Sequence, residues 1–280
     1  MQRAIQSLGS LSSEGMLAAT ADGITRIHNH GRRLFGAAEK LTTNGDHLAA
    51  EILKNLAEEE IAKVLILVDA VRCPVRFQME RNRTLEYFYS HLAKGIYAEI
   101  CNWRPINFSE VQRGIEDLRA GHYLDGPTGS DWIFPNQIER SREDKLYVDY
   151  VGDDSDSHAV RDCSWYTPTE VPWPFVTSAA IDIASALYAA GITTCGGLKI
   201  VARLWRSVEI APEMTSHCLE ELNWSTLEAL NEVGLLKTDN NDILSTIRNR
   251  WQFPLWSLDL RKREVDKETL REIRRQWVPD

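Results

Sequence analysis

Apolar residues recur every three or four positions through much of the first 120 residues of the chain. This spacing is the period of an amphipathic α-helix, and it predicts one helix over residues 17–41 and a second over residues 47–71. Between them, the segment 42–46 (Thr-Thr-Asn-Gly-Asp) combines a helix stop with an N-cap for the next helix. Two long helices joined by so short a turn are expected to pack antiparallel.

Two shorter helices complete the predicted bundle. The third is expected over residues 80–101, ahead of Pro105, and the fourth over residues 109–121, where Ser109 begins the helix and Glu110 suits its first turn. The sequence therefore predicts an all-α bundle over residues 17–120, without a central β-sheet.

The pattern changes between residues 123 and 174. Glycine, proline and aspartate are frequent in this segment, and one short β-like run at residues 145–151 interrupts it. We expect a long irregular insertion that carries a short β-hairpin.

Helical periodicity returns after the insertion. Helices are predicted at residues 176–190, 198–208, 219–236 and 242–250, followed by a charged helix at 266–276. A boundary near residue 195 would divide the chain into a helical domain, residues 1–195, and a C-terminal helical extension, residues 196–280.

Charge and hydropathy narrow the class of protein. Lys and Arg number 32 and Asp and Glu 41, so the net charge is −9 and the chain lacks the general positive field that attracts duplex nucleic acid. Binding of RNA would need a local patch of positive charge.

The apolar runs fall far short of the roughly 20 residues of a membrane span, and the first residues do not resemble a signal peptide. We expect a soluble cytoplasmic protein.

Cysteine and histidine positions do not indicate a metal centre. Five cysteines lie at wide, irregular spacing without a Cys-x-x-Cys pair, and the seven histidines lack partners at ligand spacing. We expect free thiols in a reducing compartment, with no metal and no cofactor.

The second predicted helix places charged residues on its apolar side. Projected at about 100° per residue, Glu59, Glu60 and Lys63 share that side, whereas Glu58 points away. Glu59 and Lys63 are one turn apart in the favourable order, so they are expected to pair. The pair would either tie this helix to a neighbour or line a polar pocket at a helix–helix or subunit interface.

A second polar stripe is predicted on the third helix. Tyr87, His91 and Lys94 lie opposite a core stripe formed by Leu85, Phe88, Tyr89, Leu92, Ile96 and Ile100. The stripe is interpreted either as solvated surface or as a contact for phosphates or for a carboxylate of a partner subunit.

Several short motifs follow one another between about residues 15 and 195. They are Arg33-Leu34, Gly45, Glu59-Glu60-x-x-Lys63, His91-x-x-Lys94, Leu146-Tyr147-Val148-Asp149 and Trp165 to Pro168. In this order and spacing they resemble the AbiV-type abortive infection proteins, which are bacterial phage-defence proteins built on the HEPN helical domain.

The resemblance implies a HEPN-like bundle, often a homodimer, that acts as a toxin or sensor and halts the infected cell. Many HEPN relatives are metal-independent ribonucleases with an Arg-x4-6-His motif. This chain departs from that motif, since seven residues separate Arg83 from His91 and eight separate Arg113 from His122. His91 would then serve as acid or base and Lys94 as a phosphate clamp.

Two functions of different classes follow. The first is an antiphage effector that acts on RNA, with His91, Lys94, Glu59 and Lys63 as the candidate catalytic residues. The alternative is a non-catalytic module that recognises a phage or host protein, which the acidic charge, the absent motif and the nine tryptophans favour. The expected partners are a second copy of the chain, a phage-encoded protein activator and RNA, with no membrane.

Overall fold

Helix dominates the fold, as the computed structural model shows for residues 4–121, 136–152, 163–169, 178–264 and 268, which are the residues it describes. The predicted all-α class is confirmed. The α-helices are α1 (Ser13–Thr43), α2 (His47–Arg72), α3 (Gln78–Glu86), α4 (His91–Ile100), α5 (Phe108–Leu118), α6 (Gln137–Leu146), α7 (Ala179–Ala189), α8 (Cys195–Trp205), α9 (Ser216–Glu232) and α10 (Asn241–Arg250).

Strand is confined, in the described residues, to two short pairs. Strands β1 (Ala120–Gly121) and β4 (Arg263–Glu264) pair in parallel, and β2 (Asp149–Gly152) and β3 (Cys163–Tyr166) pair antiparallel. In the second pair Tyr150 stands opposite Trp165. The hairpin expected in the insertion is therefore present.

The first two helices form the predicted antiparallel hairpin. The side chains of Ser12 and Asp46 cap α1 and α2 by accepting hydrogen bonds from backbone amides of the first turn. Gly45, which separates the helices, has a φ of 85°, a left-handed conformation that glycine adopts without strain. Local signals thus fix both ends of this turn.

Helix α2 lies at the centre of the fold and contacts α1, α3, α4, α6, α7 and α8. Over residues 61–72 every residue except Lys63 is buried. Gly31 of α1 allows the close approach, because a Cβ there would lie 2.7 Å from Cγ1 of Ile61. A helix this apolar around its circumference is stable only when it is enclosed by its neighbours.

The prediction of one continuous third helix over residues 80–101 is wrong. This segment is divided into α3, a 3₁₀ turn at Tyr87–Tyr89, and α4. Ser90 has extended backbone angles, and its hydroxyl accepts a hydrogen bond from the Ala93 amide, so it caps a new helix instead of continuing the old one.

This break removes the predicted polar stripe. The turn changes the direction of every side chain that follows, so that Tyr87 and Lys94 are buried whereas His91 is exposed. Phe88 and Tyr89, which were assigned to the core stripe, are half-buried.

The boundaries of the next elements also shift. Helix α5 begins at Phe108, because the side chain of Asn107, and not that of Ser109, caps it. Helix α6 lies inside the segment predicted to be irregular, and Lys145 belongs to it and not to the β-like run. Residues 123–135, 153–162 and 170–174 of the insertion lie outside the described residues, and so does the charged helix predicted at 266–276, apart from residue 268.

The C-terminal helices pack onto the first ones. Helix α8 contacts α1 and α2, and α10 contacts α7. Buried residues on both sides of residue 195, such as Leu187 and Leu198, belong to one hydrophobic cluster. The division into domains 1–195 and 196–280 stays a prediction.

A buried ion pair joins α2 to the segment that follows α10. The guanidinium of Arg72 pairs with Asp69, donates to the carbonyl of Gln252 at 3.0 Å, and lies 4.8 Å from the ring centroids of both Trp205 and Trp251. Both charged side chains are almost fully buried.

The other oxygen of Asp69 completes this buried network. Oδ2 accepts hydrogen bonds from the hydroxyl of Tyr97 at 2.7 Å and from the amide of Leu255 at 2.6 Å. Burial raises the pKa of Tyr97 well above its ordinary value, so its phenol stays protonated and acts as the donor.

Removal of one partner of this pair is expected to be costly. Arg72→Met should lower the free energy of unfolding by about 3–5 kcal/mol, because it leaves the carboxylate of Asp69 buried without its cation. Urea denaturation followed by circular dichroism measures the loss. Arg26→Met, in the exposed Asp22–Arg26 pair, is the control and should leave the midpoint almost unchanged. Equal midpoints for the two variants would contradict the prediction.

Candidate functional site

Glu59 is the centre of a charged cluster where α2, α4 and α6 meet. Its Oε2 lies 2.7 Å from Nδ1 of His91 and accepts a hydrogen bond from Nζ of Lys94 at 2.8 Å. Its Oε1 lies 3.1 Å from Nε of Arg142, within ion-pair range but without hydrogen-bond geometry. Three side chains from two other helices therefore surround one carboxylate.

Local features of α4 and α6 place these side chains. Ser90 caps α4, which begins at His91, so His91 and Lys94 lie in its first turn. Asn136 caps α6 by accepting from the amides of Ile138 and Glu139. Gly95 lets α6 approach α4, because a Cβ there would overlap the side chain of Ile138.

The electrostatics of Glu59 favour its ionised form. Burial by itself would raise the pKa of this carboxyl, whose side chain is 13% exposed. The hydrogen bonds and positive charges of Lys94 and His91 outweigh that cost and lower the pKa below its ordinary value. Glu59 is therefore a carboxylate that two neighbours hold in place.

Glu58 lies in the same region, and its pKa is shifted in the opposite direction. It lines, with Glu59 and Arg142, a cleft with a cavity volume of about 250 Å³ between α2, α4 and α6. Burial raises its pKa more than the nearby Lys54 lowers it. The expectation that Glu58 points away from the face of Glu59 is wrong, because α6 and the start of α7 cover that side of α2.

The structure brings together three of the four predicted site residues. Glu59, His91 and Lys94 are in contact, whereas Lys63 pairs with Glu60 and lies 5.1 Å from the ring centroid of Phe88. The predicted Glu59–Lys63 pair is wrong, because α4 supplies Glu59 with closer partners.

The position of Lys94 corrects its predicted role. Its side chain is only 8% exposed and its ammonium is bound to Glu59, so it cannot clamp a phosphate from solution. It balances the charge of Glu59 instead. In the neutral His91 ring, whose side chain is 52% exposed, Nδ1–H donates to Glu59 and the lone pair remains on Nε2.

Arg142 was missed because α6 was not predicted. A local signal was present, since Asn136 and Glu139 have the spacing of a capping box at the start of α6. In the described residues no group of three or more His, Cys, Asp and Glu side chains is placed to hold a metal ion.

Comparison with known proteins assigns the chain to a family. The model of the HEPN_AbiV family, described as AbiV, matches residues 19–189, which is more than half of the chain. The chain belongs to the AbiV family. The matched region ends at the last residue of α7 and contains the whole cluster around Glu59. No curated protein and no solved structure matches the chain.

AbiV-family membership points to abortive-infection defence. Among the described residues, the AbiV-family chain has no helix whose length and hydropathy would suit a bilayer span.

The two neighbouring carboxyls predict opposite pH dependence of stability. Because the pKa of Glu59 is lowered by folding, its contribution exists at neutral pH and is lost as the pH falls below its ordinary pKa of 4.5. Glu59→Gln should therefore be most destabilising at pH 7 and progressively less so in acid.

Glu58→Gln serves as the matched comparison. The pKa of Glu58 is raised by folding, so its ionised form opposes folding more strongly as the pH rises. This variant should gain stability relative to the wild type between about pH 4 and pH 7. Urea midpoints measured from about pH 3 to pH 7 test both variants. Parallel profiles for the two would contradict the assignment.

Proposed function

We propose that this AbiV-family protein is an abortive-infection effector that acts on RNA at the cluster around Glu59. The observation that supports the proposal is an exposed imidazole, His91, held 2.7 Å from an ionised and largely buried carboxylate. The carboxylate accepts from Nδ1 and so fixes the tautomer of the neutral ring, which leaves the lone pair of Nε2 as a base.

The other members of the cluster have positioning roles. Glu59 orients the ring of His91, and Lys94 keeps Glu59 ionised. Arg142, whose side chain is 28% exposed, is the cation of the cluster that an RNA phosphate can reach. Lys63 is left out of the proposed machinery because Glu60 engages it.

The chemistry needs one base and one acid. In metal-independent cleavage of RNA, the 2′-hydroxyl attacks phosphorus as its proton passes to a base. The P–O5′ bond then breaks, and the leaving oxygen takes a proton from an acid. A single imidazole fills one of these roles in a given step.

A homodimer would supply both roles, and we propose that this protein forms one. The proposal rests on HEPN resemblance and on the need for two proton-transfer groups. The charged residues of α2 do not require a partner subunit, because Glu59, Glu60 and Lys63 find partners within one chain.

Exposed aromatic side chains lie on the β2–β3 hairpin, which is attached to α6. Tyr150 and Trp165 are 62% and 71% exposed, with their ring centroids 5.3 Å apart. The hydroxyl of Tyr166 donates to the carbonyl of Asp144, which fixes the hairpin to α6, the helix that carries Arg142. Exposed rings of this kind stack on unpaired RNA bases.

The same hairpin supports the alternative function. Tyrosine and tryptophan are the residues that most often dominate binding energy at protein interfaces. A non-catalytic AbiV-family protein would use Tyr150 and Trp165 to bind a phage-encoded activator or a host protein, and His91 would then be dispensable.

Substitution of His91 separates the two functions. His91→Ala should abolish phage protection and RNA cleavage in infected cells. The free energy of unfolding should fall by about 1 kcal/mol at most, because the side chain is exposed and loses only its contact with Glu59. Plaque counts and the integrity of total RNA are the measurements.

His217→Ala is the matched control for this experiment. His217 on α9 is also exposed and lies 3.3 Å from a carboxylate, that of Glu221, so its loss should leave protection unchanged. Full protection by His91→Ala combined with loss of protection in Trp165→Ala would overturn the RNA proposal and favour the binding module.

The proposed dimer has a direct physical test. Light scattering of the purified protein at micromolar concentration should give twice the chain mass of 31.9 kDa. A mass of one chain at that concentration would contradict the homodimer and would require one copy of His91 to act alone.

A further inference from the structure

A second cleft lies on another part of the molecule. It has a cavity volume of about 250 Å³ and is enclosed by the loop after α4, by α5, by the start of α9 and by the segment after α10. It shares no lining residue with the cleft beside Glu59. Trp103 and Phe253 supply aromatic walls, and Ile106 is an exposed apolar residue of the same cleft.

The unusual feature of this cleft is the side chain of Gln252. The residue is 8% exposed, and neither its amide nitrogen nor its amide oxygen has a hydrogen-bond partner within the protein. A buried amide left without a hydrogen-bond partner lowers the stability of the fold. Such a group is expected to have a partner that comes from outside the chain.

Its neighbours fix the position of this residue. The carbonyl of Gln252 accepts from Arg72, and the carbonyl of Trp251 accepts from the side chain of Asn223 at 2.9 Å. The backbone therefore cannot turn easily to give the amide a partner. Arg250, which also lines the cleft, has a buried Nε without a hydrogen-bond partner.

The shape of the cleft limits what can bind. Its volume is below the about 300–1,000 Å³ of sites for drug-sized ligands, so it suits a single ring system. Trp103 is held against α5 at Gly114, where a Cβ would overlap the indole ring. Aromatic walls that are held in place in this way favour a flat ligand.

The polar groups limit the chemistry of that ligand. A glutamine amide presents one donor and one acceptor side by side, and it pairs bidentately with the N6 and N7 edge of adenine. We propose that this cleft binds a flat heteroaromatic ring of nucleobase size, with Gln252 pairing to an edge that carries adjacent donor and acceptor atoms. The proposal is independent of the RNA chemistry assigned to His91.

Calorimetric titration of the full-length protein with adenine tests this site. Adenine should bind to the wild type, and 7-deazaadenine, which lacks the N7 acceptor, should bind at least about tenfold more weakly. Gln252→Leu should weaken adenine binding by a similar factor and leave the urea midpoint unchanged or higher, since it removes an unpaired buried amide.

Control variants keep the test decisive. Gln6→Leu, on the exposed N-terminal 3₁₀ turn, should bind adenine like the wild type. If Gln252→Leu fails to fold, Gln252→Glu replaces it, and the comparison of adenine with 7-deazaadenine needs no variant. His91→Ala should retain adenine binding, so failure of the RNA proposal and failure of this one are distinguishable.

Two results would overturn the proposal. Equal affinity of adenine for the wild type and for Gln252→Leu would show that the amide is not the recognition group. Absence of binding by adenine, guanine, cytosine and uracil, together with higher stability of Gln252→Leu, would show that the cleft holds only solvent.

Discussion

The buried ion pair between Asp69 and Arg72 is the constraint on which the rest of the fold depends. Both charges lie near the end of α2, where almost every other side chain is apolar. A charge in such surroundings costs several kcal/mol unless its hydrogen-bonding groups are all engaged. The segment after α10 supplies these partners through the carbonyl of Gln252 and the amide of Leu255, so the C-terminal region must close on α2.

The first half of α2 also contains a largely buried charge, but different partners balance it. Glu59 is largely buried, and its charge is balanced by Lys94, His91 and Arg142 from α4 and α6. Here one of the partners, His91, remains exposed, so the cluster keeps a group that can exchange protons with solvent or substrate. One helix therefore provides both the best-enclosed part of the core and the candidate site.

The family match covers only part of this architecture. The AbiV region ends with α7, yet α8 contacts α1 and α2, and α10 contacts α7. Trp205 and Trp251, which enclose the guanidinium of Arg72, both lie after the matched region. The helices beyond residue 189 thus complete the core of the AbiV region. Together with α5 and the loop after α4, they also enclose the cleft around Gln252.

The sequence by itself determined the features that arise from local interactions. Hydrophobic periodicity located α1 and α2, the Gly45 and Asp46 signals set the turn between them, and ordered motifs identified the AbiV family. It also singled out Glu59, as an ionisable group on the apolar side of a helix, and His91 with Lys94, as polar residues one turn apart.

Only the tertiary structure decided how these residues combine. The prediction of one helix over residues 80–101 failed because the hydroxyl of Ser90 accepts a hydrogen bond from the Ala93 amide and caps a new helix. The spacing of apolar residues carries no information about such a side-chain cap. Glu59 pairs with Lys94 and not with Lys63 because α4 crosses α2 at that point. Arg142 reaches the cluster only because α6 packs against Gly95. These contacts join residues that are distant in sequence. A buried charge must be paired to be stable, and its partner comes within reach only when the helices have packed together.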